Sequence, residues 1–194
     1  MTEKTEDLFD RIVTECKEIF QNKMKDYGSS WLLFRLSSIT DQIFIKAKRI
    51  RTIEEKGESK IPEGAEHELK GILNYCVMAL IRIWHASELP ESDSLLKDKE
   101  IKIDVDPSKM EELYDNVITR IRELLVKKNH DYGEAWRDMR VPSITDEILV
   151  KAYRVMEIDR KKEKLIASED LDAQYSDIVN YCVFALIHLS EKNQ

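Results

Sequence analysis

The chain of 194 residues contains few of the residues that break regular structure, with five glycines and four prolines. An all-β chain needs turn signals roughly every 8–12 residues, so this composition argues against one. Hydrophobic residues make up 42% and charged residues 36% of the chain, which can support a core and suits long amphipathic helices.

Long hydrophobic runs are also missing. No apolar stretch reaches about 18 residues, so nothing is expected to span a membrane. The N-terminal MTEKTEDLFD has neither the basic nor the apolar region of a signal peptide. The three cysteines, Cys16, Cys76 and Cys182, lack CxxC spacing and lie on apolar helical faces. This favours buried thiols in a reducing cytoplasm over a zinc site or a disulfide framework.

Several functional classes lack their signatures. The net charge of −7 disfavours general binding to a nucleic-acid backbone, although it allows a local basic pocket. No GxSxG, P-loop or HExxH motif occurs, and of the four histidines only His130 adjoins a repeated cluster. No catalytic residue is therefore assigned.

What the chain does contain is an internal repeat. KDYGSSW (25–31) recurs as HDYGEAW (130–136), and SITDQIFIKAKRI (38–50) recurs as SITDEILVKAYRV (143–155). ILNYCVMALI (72–81) matches IVNYCVFALI (178–187) after a one-residue insertion. We interpret the chain as a tandem duplication, with a first helical repeat at 1–88, a linker at 89–106 and a second helical repeat at 107–194. EIKIDVD, at the end of the linker, alternates as a short strand does.

Apolar spacing predicts three helices in each repeat. They cover about 7–24, a segment starting at Ser38, and 64–87; the second set starts at Pro107, at Ser143 and at about 169. Asp106 is the expected N-cap of the fourth helix. Capping boxes are expected at Ser38 with Asp41 and at Ser143 with Asp146. Gly28 and Gly133 can end the first helix of each repeat in a left-handed conformation.

These helices predict an all-α fold in which two three-helix units form one bundle with approximate two-fold symmetry. The third helix of each unit is the most apolar and is expected at the centre. The arrangement resembles a homodimer fused into one chain, and a further homodimer of the whole chain is a candidate assembly.

Polar residues recur as well as apolar ones, and the basic ones predict a phosphate site. Lys46 and Arg49, like Lys151 and Arg154, lie one turn apart on the second helix of each repeat. An ammonium and a guanidinium at this spacing suit a polyphosphate. Arg35 and Arg140 follow the DYG motifs and are candidates for the same role. The alternative is a solvated helix face with ordinary ion pairs.

Aromatic and amide side chains are the candidates for contacts with a base. Tyr27 and Trp31, with Tyr132 and Trp136, could stack on one, or they could form a packed corner. Asn74 and Asn180 interrupt apolar helices, so each contacts a base or a metal-bound water, or makes an inter-helix hydrogen bond that fixes register. Asp177, one turn before Asn180, aligns with Gly71 in the first repeat.

The segments KNHDYGEAWRDMRVPSITDEILVKAYRV and YSDIVNYCVFALI resemble the nucleotide-modification-associated helical domain family, first described as a domain of unknown function. A looser similarity is to the all-α nucleoside triphosphate pyrophosphatases of the MazG-like and dimeric dUTPase group. That similarity implies Mg²⁺, for which Asp146, Glu147 and Asp177 are the candidate ligands. The chain departs from that group's E-x-x-E and E-x-x-D pairs, with Lys151 in place of an acid and Asn180 in place of the last one.

These observations lead to one hypothesis and two alternatives. The protein is expected to bind a nucleotide or nucleoside triphosphate, with hydrolysis to the monophosphate and pyrophosphate as the candidate reaction. The second repeat is the better catalytic candidate, because it keeps more acids. The alternatives are a non-catalytic module, acting as a nucleotide sensor or binding a helical partner, and a scaffold whose repeated polar residues serve only packing.

Overall fold

The computed structural model describes residues 4–61, 63–90, 95, 103, 105–161 and 170–192. Six α-helices lie in these ranges: α1 (Thr5–Tyr27), α2 (Leu36–Lys56), α3 (Ala65–Trp84), α4 (Pro107–Tyr132), α5 (Val141–Lys161) and α6 (Leu171–Lys192). Short 3-10 turns occur at Ser30–Leu33, Ala86–Glu88 and Ala135–Asp138. No described residue belongs to a strand, so the all-α prediction is confirmed. Among the described helices, none combines the length and apolar character needed to cross a membrane.

The helices pack in a reciprocal pattern. Within the repeats, α2 packs on α3 and α5 packs on α6. Across the repeats each helix contacts its counterpart, in the pairs α1 with α4, α2 with α5 and α3 with α6. In addition, α1 contacts α6 and α3 contacts α4. This pattern is the one that two repeats related by an approximate two-fold axis would show, and it favours the predicted arrangement.

The third helix of each repeat supplies the centre of the core. On α3, Ile72, Leu73, Cys76 and Leu80 are almost completely buried. Their counterparts on α6 are buried in the same way, which confirms the predicted central position. All three cysteines are free and buried. Burial raises the pKa of the Cys16 thiol to about 12, because the low-dielectric interior disfavours the thiolate.

The first helix of each repeat ends at a glycine with positive φ. Gly28 has φ 58° and ψ −153°, and Gly133 has φ 57° and ψ 35°. The predicted left-handed conformation is therefore confirmed at Gly133 and wrong at Gly28, whose ψ lies outside that region. Each donates its N–H to a carbonyl four residues back, so the DYG motif closes the helix and turns the chain. The helices include Tyr27 and Tyr132 and are therefore longer than predicted. The predicted cap at Asp106 is confirmed, since its carboxylate accepts from Ser108 N–H at 2.9 Å.

The predicted capping boxes are wrong. The second helix of each repeat begins two residues before the predicted serine, at Leu36 and at Val141. Arg35 is extended, with ψ 155°, and occupies the N-cap position without a side-chain cap. Ser38 therefore lies inside the first turn. In α5 the first turn accommodates Pro142, because the first N–H groups of a helix have no intrahelical acceptor.

The strand expected in EIKIDVD falls mostly outside the described residues. Ile103, Val105 and Asp106, the members that the structure does describe, are not in a strand.

Candidate functional site

Each repeat contains a pocket between the end of its first helix, the 3-10 turn that follows, and its third helix. The pocket of the first repeat, pocket A, has a volume of about 330 Å³. It is lined by Ile19, Phe20, Lys23, Met24, Tyr27, Gly28, Ser30, Trp31, Phe34, Gln42, Lys46, His67, Gly71, Asn74, Tyr75 and Met78. The pocket of the second repeat, pocket B, has a volume of about 480 Å³. It is lined by Leu125, Lys128, Asn129, Tyr132, Ala135, Trp136, Met139, Asp177, Asn180, Tyr181 and Phe184.

The two pockets occupy equivalent places in the two repeats. Every residue that lines pocket B aligns with one that lines pocket A, at an offset of 105 on the first helix and its turn and of 106 on the third helix. The duplication has therefore preserved a cavity along with the helices that enclose it.

Local geometry explains how the aromatic residues reach pocket A. Lys23 and Tyr27 are four residues apart on α1, so they share a face of the helix. The turn at Gly28 and the 3-10 turn bring Trp31 back against α1, where its ring lies 6.4 Å from that of Phe20. Tyr27 stays 70% exposed at the rim. The pocket thus has a buried tryptophan in its wall and an exposed tyrosine at its entrance.

Pocket B has the same arrangement of aromatic residues, and its wall contains a stacked pair of rings. Trp136 stacks on Phe184, with ring centroids 4.5 Å apart and planes inclined by 4°. Tyr181 meets Phe184 edge-on, and Tyr132 is 73% exposed at the rim. An aromatic wall of this kind suits contact with a planar ring.

In both pockets the indole N–H of the tryptophan has no acceptor among the described residues. The Nε1 atoms of Trp31 and Trp136 are buried, and neither donates a hydrogen bond to any residue that the structure describes. Buried donors in folded proteins nearly always find a partner. The recurrence of this feature shows that the two indoles are buried in equivalent surroundings in the two repeats.

The charged groups of pocket B pair with one another. Asp177 accepts from Lys128 Nζ through Oδ1 and from Lys151 Nζ through Oδ2, each at 2.8 Å. Burial of the carboxyl group opposes its ionisation, but the hydrogen bonds from the two lysines outweigh it, so the pKa of Asp177 is lowered. The carboxylate therefore lies between two ammonium groups and uses both oxygens for them.

The corresponding charges of pocket A are arranged differently. Lys46 Nζ donates to Glu68 Oε2 at 2.8 Å, and Arg49 also pairs with Glu68. Lys23 is exposed and makes neither an ion pair nor a hydrogen bond with the described residues. Position 71, the counterpart of Asp177, is glycine. Two lysines and no carboxylate thus line pocket A.

The two predicted base-contacting amides have different surroundings. Asn74 Nδ2 donates to the Cys16 carbonyl at 2.9 Å, and its Oδ1 accepts from the Tyr114 hydroxyl at 2.8 Å. This is the inter-helix bond that formed the alternative interpretation of Asn74. Asn180 Oδ1 is buried and has no hydrogen-bond partner within the described chain.

Some predicted phosphate-binding residues do not lie in the pockets. Arg35 and Arg140 are exposed, and neither lines pocket A or B. Arg49 is held by Glu68 and by the Glu63 carbonyl. Arg154 lines a separate groove between α2 and α5. Of the six basic residues predicted, only Lys46 lines its pocket, while Lys151 reaches pocket B through Asp177.

The three acids predicted as metal ligands do not form a group. Asp146 is exposed and lies 3.4 Å from Arg51 Nη1, at the contact between α2 and α5. Asp177 is bridged by two lysines, and Glu147 is half-buried on α5. The described residues hold no cluster of three His, Cys, Asp or Glu side chains able to bind a metal ion. These residues do not fit a Mg²⁺ site.

Lys23 and Lys128 are the pocket residues that sequence reasoning undervalued. Both recur at the same offset as the DYG motifs and stand four residues before the pocket tyrosines. That spacing already places each lysine beside its tyrosine on one helical face.

An all-α protein built from two helical repeats, each with its own aromatic and basic pocket, is the class that the fold and the pockets define. The family profile described as Nucleotide modification associated domain 1 matches residues 23–83 and 128–189, so the chain belongs to this family and carries the domain twice. Each matched segment lies within one predicted repeat. No curated protein and no solved structure matches the chain, and the looser similarity to MazG-like pyrophosphatases stays a prediction.

Proposed function

We propose that the protein binds a nucleotide in pocket A, with phosphate oxygens at Lys23 and Lys46 and the base against the aromatic wall. One observation carries the proposal: equivalent pockets recur in both repeats, and pocket A is lined by two lysines, Trp31 and Tyr27 without a carboxylate. A cavity of about 330 Å³ falls in the range of small-ligand sites, roughly 300–1,000 Å³. The family description, nucleotide modification, points to the same ligand class.

The lysines of pocket A are suited to phosphate by position and by charge. Lys23 extends from α1 and Lys46 from α2, so they approach the pocket from two helices. Ammonium groups bind phosphate as point charges through charge-assisted hydrogen bonds. Glu68 offsets part of this charge, but Arg49 pairs with the same carboxylate. The cluster of Lys23, Lys46, Arg49 and Glu68 therefore keeps a net positive charge.

The proposal concerns binding and derives no step through a metal. The acids predicted for Mg²⁺ are separated or already bridged by lysines. Hydrolysis of a nucleoside triphosphate stays a prediction, and a nucleotide sensor is the form of the function that the pocket geometry favours.

Calorimetric titration of the full chain tests the proposal. Deoxynucleoside mono-, di- and triphosphates and inorganic pyrophosphate would be added in a low-salt buffer containing EDTA. We expect metal-independent binding that Lys23→Ala and Lys46→Ala each weaken by about tenfold, as expected for loss of one charge-assisted contact. Lys48→Ala, on the same helix but outside pocket A, is the matched control and should bind as the wild type does.

Two outcomes would refute the proposal. Absence of binding by every phosphate compound would leave the scaffold interpretation. Binding that Lys48→Ala weakens as much as Lys46→Ala would indicate attraction to the surface in general and not to pocket A.

A further inference from the structure

We propose that the Asp177 carboxylate occupies the place of a ligand phosphate group in pocket B, so that pocket B does not bind phosphate. Glycine at the equivalent position 71 leaves the same place in pocket A open to the ligand. This inference rests on the proposed function, because it identifies the anion subsite of pocket A from its occupied counterpart in pocket B.

The occupied subsite is visible in the second repeat. The Asp177 carboxylate lies between Lys128 on α4 and Lys151 on α5, at 2.8 Å from each ammonium nitrogen. One oxygen serves each lysine, as two oxygens of a phosphate group would. Because the carboxylate is attached to α6, it competes with any dissolved anion at a high effective concentration.

The same subsite in the first repeat has its lysines but not its carboxylate. Lys23 and Lys46 are the counterparts of Lys128 and Lys151, and Gly71 stands in the place of Asp177. A Cβ at Gly71 would lie 3.3 Å from Lys46 Cε and 3.4 Å from its Nζ. The Lys46 side chain therefore lies directly over the position from which a carboxylate would project. Lys23 keeps no anionic partner among the described residues.

A second difference between the repeats explains how Lys46 is retained without an aspartate at 71. Position 68 is glutamate in the first repeat, whereas its counterpart in the second is Gln174. Glu68 pairs with Lys46 and Arg49 and does not reach Lys23. The third helix of each repeat thus carries one carboxylate, Glu68 in the first repeat and Asp177 in the second. Of the two, only Asp177 pairs with the lysine on the first helix of its repeat, which is Lys128.

The decisive variant is Gly71→Asp. It places a carboxylate between Lys23 and Lys46, and the three heavy atoms nearest to the new Cβ all belong to the far end of the flexible Lys46 side chain. Glycine is also the poorest helix former after proline, so the substitution should not unfold α3. We expect Gly71→Asp to weaken pyrophosphate binding by about tenfold or more. Gly71→Ala adds the same Cβ without the charge, so the further loss of affinity from Gly71→Ala to Gly71→Asp measures the effect of the carboxylate alone.

The reciprocal variant opens pocket B. Asp177→Gly alone removes the counter-ion of the buried Lys151, so we pair it with Gln174→Glu to recreate the arrangement of the first repeat. The double variant should bind two pyrophosphate ions per chain where the wild type binds one. Circular dichroism checks that its helices are intact.

The indole N–H resonances in a proton–nitrogen correlation spectrum report on each pocket separately. Trp31 lies in pocket A and Trp136 in pocket B, while Trp84 donates to Asp172 outside both. Pyrophosphate should shift the Trp31 signal of the wild type and leave Trp136 and Trp84 in place. In the double variant it should also shift Trp136, and in Gly71→Asp it should shift none of the three.

The outcomes separate this inference from the proposed function. A wild type in which pyrophosphate shifts no indole signal and gives no heat contradicts both. A wild type that binds at pocket A, while Gly71→Asp retains its affinity or the double variant gains no second site, contradicts the inference alone. Equal shifts of Trp31 and Trp136 in the wild type would show that Asp177 does not close pocket B.

Discussion

The hydroxyl group of Tyr114 links the second repeat to the amide at pocket A, and its removal is a direct test of that link. Tyr114 is fully buried, and its hydroxyl donates to Asn74 Oδ1 at 2.8 Å. Burial raises the pKa of this phenol well above its usual value, so the donor proton is present at every working pH. Tyr114→Phe keeps the ring against Phe20, 5.1 Å away, and deletes only the donor.

The expected loss of stability follows from the hydrogen bonds that Asn74 keeps and loses. Asn74 keeps its bond to the Cys16 carbonyl, but its Oδ1 becomes a buried acceptor without a partner. Loss of a net hydrogen bond and desolvation of the orphaned oxygen together destabilise a protein by about 1–2 kcal/mol. For a chain of this size the melting temperature should fall by roughly 2–8 °C.

Urea unfolding followed by circular dichroism gives the free energy of unfolding. Tyr27→Phe is the matched control, because Tyr27 is 70% exposed and its change should stay within about 0.5 kcal/mol. If Tyr114→Phe is as neutral as this control, the hydroxyl does not hold Asn74 and the assignment of this inter-repeat bond is refuted.

Phe9 provides the reciprocal experiment. It aligns with Tyr114, and Asn180, the counterpart of Asn74, has a buried Oδ1 without a partner in the described part of the chain. If the repeats are related by a two-fold axis, Phe9→Tyr places a hydroxyl at that oxygen and stabilises the protein by up to about 1 kcal/mol. A loss of about 1–3 kcal/mol, as overpacking causes, would contradict the two-fold relation.

Three further expectations follow from the structure. The pKa of Asp177 is lowered in the folded protein, so its ion pairs stabilise the fold above the ordinary carboxyl pKa of 3.8 and lose this effect as the pH falls through the folded-state pKa. Asp177→Asn should therefore unfold at a different urea midpoint from the wild type at pH 7, and the two midpoints should converge in acid. Gly28→Ala should lower the stability to thermal unfolding by at least about 1 kcal/mol, and by more than Gly133→Ala does. The reason is that ψ −153° at positive φ suits glycine alone, whereas Gly133 is in the ordinary left-handed region. Equal losses of stability would contradict this. A thiol reagent should modify none of the three buried cysteines in the native protein and all of them in urea, and rapid native labelling would contradict their burial.

The fold was predictable because the signals that define it are periodic. Apolar spacing located the six described helices, and the excess of apolar residues on the third helix of each repeat located the core. The starts of α2 and α5 were missed, because Ser38 and Ser143 have the side chains of an N-cap but lie inside the helix. The extended backbone at Arg35 sets the first boundary, and an extended arginine has no sequence signature.

The site was predictable only in part, because helical spacing gives the face of a side chain but not its neighbour. Tyr27, Trp31 and Lys46 reach one pocket, as their recurrence suggested. Arg49 shares the face of Lys46 yet is drawn to Glu68. The position of Glu68 relative to both depends on how α2 packs on α3, which no local pattern encodes. The difference between Gly71 and Asp177 was visible in the sequence, but its effect on the lysines required the structure.

Lys46 and Lys151 explain why a carboxylate persists on the third helix in both repeats. Their side chains are only 23% and 11% exposed, and a buried ammonium without a counter-ion is strongly unfavourable. Either repeat could meet this need from position 68 or its counterpart, or from a position three residues later on the same helical face. A carboxylate at position 68 pairs with Lys46 and Arg49 and leaves Lys23, on the first helix, without an anionic partner among the described residues. A carboxylate at position 177 pairs with Lys151 and also with Lys128, and it fills the space between the two ammonium groups. A shift of one helical turn in the position of the carboxylate therefore determines whether the pocket has an anion of its own.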